Sequence, residues 1–267
     1  MLDKLLVRPG HAPKLASRDP ADKLGLGTKA EGRKKLLELV PKLGELQARL
    51  AAEASRSVLL VLQGMDASGK DGTLRAVFTG VNPQGVDVTG YKAPAGREAQ
   101  QDYLWRVHAA CPPKGQIGIF NRSHYEDVLV VRVHGLVPED RWRKRYRHIR
   151  EFERMLTDEG TTIVKVMLHV SPEEQRVRFQ ERIDDPAKRW KFRPGDLEDR
   201  KHWDQFRAAY EEALSETSTD WAPWYVVPAD RNWVRDLAVA RILVDHLGAL
   251  DPRYPEADPA IVGTTVV

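Results

Sequence analysis

One stretch constrains this chain more than any other: Val58-Leu59-Leu60-Val61-Leu62-Gln63-Gly64-Met65-Asp66-Ala67-Ser68-Gly69-Lys70-Asp71-Gly72-Thr73. The uninterrupted apolar run reads as a strand buried on both faces. A glycine-framed turn follows, and Thr73-Leu74-Arg75-Ala76-Val77-Phe78 has the pattern of a helix start. Gly64 to Lys70 fits the spacing GxxxxGK. Glycines let the backbone curl so that its N–H groups face an anion, the helix N-terminus adds a positive end, and the lysine reaches the outer phosphates. The spacing alone also fits a glycine turn with no ligand; the strand before it and the helix after it favour a phosphate cradle built from Gly64, Met65, Ala67, Ser68, Gly69, Lys70, Asp71, Gly72 and Thr73. Asp71 stands where such loops usually carry the hydroxyl that holds Mg²⁺, and Asp66 places an extra carboxylate inside the loop.

The chain of 267 residues is long enough for one large α/β domain with appendages. From Val58 onward, short apolar runs alternate with amphipathic stretches, the signature of βαβ units around a parallel sheet. Five parallel strands are predicted near 58–63, 86–90, 116–120, 162–169 and 224–227. Helices are predicted near 70–80, 97–110, 123–133, 139–159, 172–183, 199–215 and 231–247. Upstream, leucines at three- and four-residue intervals predict a helix over about 28–55, which Pro41 should kink or split. Residues 1–27 read as an arm over the surface or a partner, residues 28–250 as the working domain, and residues 251–267 as an extended tail. The segment around 184–198 breaks the alternation with aromatic and basic residues and reads as an insertion, in such folds usually a lid.

Charge is near balance overall, +3, yet two runs are dense in cations: Arg141 to Arg150 and Lys188 to Arg193. Such runs attract polyanions, although a solvated helix face is the commoner explanation. Cys111 is the lone cysteine, which excludes an intrachain disulfide and a cysteine-based metal site. No apolar stretch approaches the ~18 residues that span a bilayer, and no signal-peptide core is visible, so a cytoplasmic protein without membrane contact is expected. No nucleic-acid-binding signature is present.

A second chemical stretch is Gly118-Ile119-Phe120-Asn121-Arg122-Ser123-His124-Tyr125-Glu126-Asp127. Polar residues spill from the C-terminal end of a strand, where open parallel sheets bind ligands. The planar fork of Arg122 suits two phosphoryl oxygens, and Glu126 and Asp127 are placed to reach Mg²⁺. Equally, Ser123 reads as an ordinary N-cap followed by first-turn carboxylates. Lys92 follows the second predicted strand, where it can meet an acceptor phosphate. Glu98, Asp102 and Arg106 fall on one face of the predicted 97–110 helix, with Arg106 assigned to the cleft and Asp102 to an exposed ion-pair ladder. Each histidine reads as structural.

Three motifs in register, the 64–73 loop, Asn121-Arg122-Ser123-His124-Tyr125-Glu126-Asp127 and Asp185-Pro186-Ala187-Lys188-Arg189-Trp190-Lys191, resemble the family-2 polyphosphate kinases over roughly residues 30–250. The resemblance implies a three-layer P-loop kinase fold like that of thymidylate kinase, with a central five-stranded parallel sheet and a helical lid over about 178–200. It implies Mg²⁺-dependent, reversible phosphoryl transfer between inorganic polyphosphate and a nucleotide, Mn²⁺ being the alternative ion. Carried over by position, Asp66 would hold metal and orient the acceptor, Lys70 would contact the transferred group, and Arg122 would stabilise its charge. Arg178 and Arg182 would be lid arginines, with Lys188 and Lys191 holding the chain. Many members have Asp-Arg-Ser where this chain has Asn121-Arg122-Ser123, and a neutral residue in place of Glu126. These departures resemble the subgroup that accepts both AMP and ADP, giving ADP and ATP; guanine nucleotides and a dimer or tetramer stay open. The two basic runs would then form the channel for the polyanion. Competing expectations are an ATP-dependent nucleoside or nucleotide kinase of the same fold, and a polyanion-binding module without transfer activity.

Overall fold

A computed structural model describes residues 2–265. Its centre is the strand Ser57–Gln63 (β2), whose seven residues are all buried. Successive side chains point to opposite faces: Val58, Leu60 and Leu62 enter one core, Leu59 and Val61 the other. Burying each such aliphatic side chain contributes roughly 1.5–3 kcal/mol, so this strand can sit only where both faces are covered.

Six strands form the sheet: Leu6–Val7 (β1), β2, Val86–Gly90 (β3), Ile117–Asn121 (β4), Thr161–His169 (β5) and Trp224–Pro228 (β6), in the order β1-β6-β5-β2-β4-β3. Strands β2 to β6 are parallel, as expected. The five-strand expectation was one short, because β1 pairs antiparallel with β6. A two-residue strand carries no legible period. It is held by a long-range bond, in which Ser218 Oγ donates to the Val7 carbonyl at 2.5 Å, while Leu5, Val7 and Leu15 are buried. Part of the arm is thus woven into the sheet edge rather than merely draped.

One face is covered by the helices Lys29–Glu53 (α2), Lys70–Val77 (α3) and Asn232–Leu250 (α10), the other by Glu139–Asp158 (α6) and Trp203–Thr217 (α9). Helix α2 runs unbroken past Pro41, with Leu39, Leu43, Leu46 and Leu50 buried in the core they share with α10. Packing along its length outweighs the one backbone bond that proline cannot make. The leucine stripe is therefore an intramolecular core face. The predicted 97–110 helix is instead a short turn at Gly96–Gln100 and a helix at Trp105–Ala109 (α4), separated where Asp102 Oδ1 accepts from Leu104 N at 2.9 Å. Similarly, 123–133 resolves into a turn at His124–Asp127 and a helix at Val130–Val133 (α5). The remaining helices are Leu2–Leu5 (α1), Pro172–Asp184 (α7) and Pro194–Lys201 (α8). No helix of the described residues is long and apolar enough to cross a membrane.

Candidate active site

The loop leaving β2 turns on Gly64 and Gly69, at φ 148° and 101°. A Cβ at Gly69 would lie 1.8 Å from Arg235 Nη1, and one at Gly64 would lie 2.8 Å from the Leu168 carbonyl oxygen. Neither position accepts a side chain. Ala67 and Arg122 are non-glycine residues at φ 60° and 63°, a conformation that persists only where neighbours hold it. For Ala67 the holder is Arg178, whose Nη1 donates to its carbonyl at 2.9 Å. For Arg122 it is β2 itself, because Arg122 N donates to the Leu62 carbonyl at 3.1 Å. The register Leu62↔Asn121 therefore sets the end of β4 beside the start of the loop.

Lys70 is 9% exposed and donates to the Gly64 carbonyl at 2.6 Å and the Met65 carbonyl at 3.3 Å. No carboxylate among the described residues forms an ion pair with it. Burial, assisted by the Arg122 charge, pushes its pKa down to about 8. A buried ammonium with only carbonyl partners is a place where an arriving anion supplies the missing counter-charge. Arg122 reaches between two carboxylates, bonding Asp66 through Nη2 and Glu126 Oε2 at 3.1 Å through Nη1. Burial works against its charge, but Glu126 and Asp66 more than offset this, and its pKa lies above the ordinary guanidinium value.

These groups line one cleft of about 670 Å³. The structure brings there Asp66, Ala67, Gly69, Lys70, Asp71 and Gly72 from the loop, Lys92 from beyond β3, and Asn121 and Arg122 from β4. Arg182, Lys188 and Lys191 enter from the opposite wall. Gly64 and Met65 line instead a narrow adjoining cavity of about 30 Å³ that shares Asp66 and Arg122 and also contains Glu126, Gln175, Asp199, Trp203 and Tyr210. Ser68 and Thr73 are fully buried beneath the loop.

Three further expected site residues are not in the cleft. Arg178 braces the loop from behind, donating also to the carbonyls of Ala229 at 2.6 Å and Asp230 at 3.1 Å. Arg106 donates to the Lys92 carbonyl at 2.8 Å and to Glu98 Oε2 at 3.2 Å, so it positions the Lys92 turn. Asp127 accepts from Arg145 Nη1 at 2.8 Å, and burial raises its pKa against the pull of that arginine. The Arg141–Arg150 run does not line the cleft either. Arg143 pairs with Glu139 and Glu212, Arg145 with Asp127, Arg147 with Glu151, and Arg150 with Glu216. These four arginines are committed to ion pairs, and no residue of the run lines the cleft.

Sequence reasoning missed several contributors. Arg75, Tyr91, Asp196 and Asp199 also line the cleft, and Trp190 and Arg193 join it from the cationic 188–193 run. Trp190 is 75% exposed, with its Nε1 donating to the Ala187 carbonyl at 3.0 Å. Gln175 Nε2 donates to the Asp66 carbonyl at 2.9 Å, and buried Arg235 packs against the loop while pairing with Asp236 at 2.8 Å. A legible signal existed for that pair: two adjacent opposite charges stand in the first turns of helix α10, whose neighbouring positions Val234, Leu237 and Ala238 are apolar. His124 is structural, as expected, its Nε2 lying 3.3 Å from buried Glu153.

Among the described residues no three His, Cys, Asp or Glu side chains converge on a metal-sized site. Asp66 gives one oxygen to Arg122 and faces the cleft. That donor set does not make a protein cage, but it fits Mg²⁺, which takes one or two carboxylates and completes its octahedron from substrate phosphates and water.

A parallel sheet with an anion-cradling loop at the end of its central strand, facing an arginine just past the end of the neighbouring strand, defines a P-loop phosphotransferase of the α/β class. The model of the polyphosphate kinase 2 family matches residues 27–255. The chain is 55% identical over 260 residues to the AMP/ADP-polyphosphate phosphotransferase of Meiothermus ruber, covering 97% of each. It is 47% identical over 233 residues to the ADP-polyphosphate phosphotransferase of Rhodopseudomonas palustris, covering 83% of this chain and 81% of that one. The crystal structure of polyphosphate kinase 2 from Arthrobacter aurescens TC1 superposes with a TM-score of 0.91 at 44% identity, covering 95% of this chain and 91% of that one. The chain belongs to the polyphosphate kinase 2 family and is an enzyme.

Proposed function

We propose that the protein transfers the terminal phosphoryl group of inorganic polyphosphate reversibly to AMP and to ADP, giving ADP and ATP. The observation that carries this reading is the convergence of Lys70, Asp66 and Arg122 on one cleft with Arg182, Lys188, Lys191 and Arg193 on its opposite wall. Phosphoryl transfer asks the protein mainly for positioning and for positive charge around the moving group. Lys70 supplies charge at the loop, where the polyanion restores a counter-ion to a buried ammonium. Arg122, gripped by Asp66 and Glu126, is held in one orientation before substrate arrives and loses little freedom when a phosphoryl oxygen takes its remaining donors. Mg²⁺, held by Asp66 together with substrate phosphates, would neutralise charge on the phosphate chain. The segment over about 178–200 acts as a lid that excludes water once both substrates are bound.

The dual-acceptor reading rests on Asn121 and Glu126 together with the similarity to the Meiothermus enzyme. Steady-state assays with Mg²⁺, polyphosphate and either AMP or ADP decide it. Turnover of one acceptor alone removes the dual claim, and turnover with ATP but not polyphosphate as phosphoryl donor removes the reading altogether.

A further inference from the structure

The residue after the loop lysine has no evident task in phosphate binding, since a carboxylate repels the ligand. Its partners give it another. Asp71 Oδ1 accepts from Asn121 Nδ2 at 2.9 Å, which aims the carboxylate across the mouth of the cleft. Asp71 Oδ2 meets Lys191 Nζ at 3.4 Å, 120 residues away on the opposite wall. Every other polar side-chain contact of residues 185–192 among the described residues is local: Lys188 pairs with Asp185, Arg189 donates to the Ile183 carbonyl, and Trp190 to that of Ala187. The Asp71–Lys191 pair is thus the one polar side-chain tether between that segment and the phosphate loop.

We propose that Asp71 is an internal competitor for the polyanion: it holds Lys191 while the cleft is free of substrate and yields it when phosphates enter. This rests on the polyphosphate reading above. The side chains are 59% and 30% exposed, and the pair is long, so it belongs to the class of surface ion pairs worth no more than about 1 kcal/mol. Such a tether orders the wall without locking it, and a multiply charged chain displaces it readily. Asp71 therefore sets the KM for polyphosphate without contacting the reacting atoms, and is a positioning residue.

The test compares the wild type with Asp71→Asn, Lys191→Met and the double variant. Assays use Mg²⁺, polyphosphate and ADP over a range of salt, alongside limited proteolysis of the substrate-free proteins. Asparagine keeps an acceptor for Asn121 and removes only the charge. Asp71→Asn is expected to lower the KM for polyphosphate by roughly two- to fivefold, to leave the KM for ADP unchanged, and to speed cleavage within 185–193. Lys191→Met should raise the polyphosphate KM and make the second substitution silent. Three outcomes overturn the proposal: a higher KM or a collapsed kcat in Asp71→Asn, which assigns the carboxylate to the reacting groups or the metal; additive effects in the double variant; and unchanged cleavage. Absence of wild-type turnover with polyphosphate counts instead against the functional reading, and the proteolysis arm still judges the tether.

Discussion

Two buried lysines on either side of the sheet's active edge show what separates structure from function here. Lys165, on β5, is 0% exposed and donates to Glu153 Oε2 at 2.5 Å, the Thr217 carbonyl at 2.7 Å and the Tyr125 hydroxyl at 3.0 Å. Its charge is matched, and Glu153 accepts further from Tyr125 at 2.8 Å. Lys70 is nearly as buried but meets only carbonyls. The same contrast divides the two basic runs. On α6, Arg143, Arg145, Arg147 and Arg150 are paired with acids of their own helix, of α9 and with Asp127, whereas around the cleft Arg182 and Arg193 form no ion pair among the described residues. Where a cation's counter-ion comes from, rather than how many cations adjoin, decides which region handles phosphate.

The largest expected effect lies in the matched region. Lys165→Met leaves Glu153 buried without its counter-ion and should cost about 3–5 kcal/mol in urea unfolding; a loss below 1 kcal/mol would show that the pair is not the anchor described. The unmatched lysine should behave oppositely. Lys70→Met is expected to lower kcat by about 10²–10³ while leaving the melting temperature unchanged or higher, because it removes a buried ammonium that lacks a carboxylate. Equal loss of stability and activity would erase the contrast.

Titration sharpens the comparison further. Burial lowers the Lys70 pKa in the folded protein to about 8, from the 10.5 of an ordinary lysine. Between these values the unfolded chain binds more protons, so stability rises with pH across that window. The ammonium is the form that attracts phosphate, so kcat/KM for polyphosphate should fall above about 8, by about tenfold per pH unit. Lys70→Arg should lose that alkaline limb, arginine staying charged; a limb that survives the change belongs to another group. The smallest effects test the basic runs. Lys188→Ala with Arg193→Ala should raise the polyphosphate KM several-fold and flatten its salt dependence by roughly one unit of slope per contact. Arg147→Ala with Arg150→Ala should shift it less than twofold, and a larger shift would return α6 to the binding surface.

Much of this was legible in particular residues. Val58 to Leu62 announced a strand covered on both faces, and Gly64 to Lys70 announced the turn that Gly64 and Gly69 indeed make at positive φ. Asn121 and Arg122 were placed correctly at a strand end because parallel sheets expose ligand sites there. Arg178 was misplaced for an identifiable reason: its position on α7 was legible, but its donors turn inward to the carbonyls of Ala67, Ala229 and Asp230, on two segments that meet α7 only in the folded chain. The face shared by Glu98, Asp102 and Arg106 failed because Asp102 caps a turn instead of continuing a helix.

The sequence by itself determined the strand-loop-helix unit, the order of the parallel strands' elements and the types of side chain available to phosphate, since these depend on local period and on glycine. Only the tertiary structure decided which cations are unmatched, which carboxylates hold Arg122, and that Asp71 faces Lys191. The Asp66–Arg122 and Asp71–Lys191 pairings join residues 56 and 120 positions apart, and electrostatic energy depends on their separation in space, to which spacing along the chain is blind.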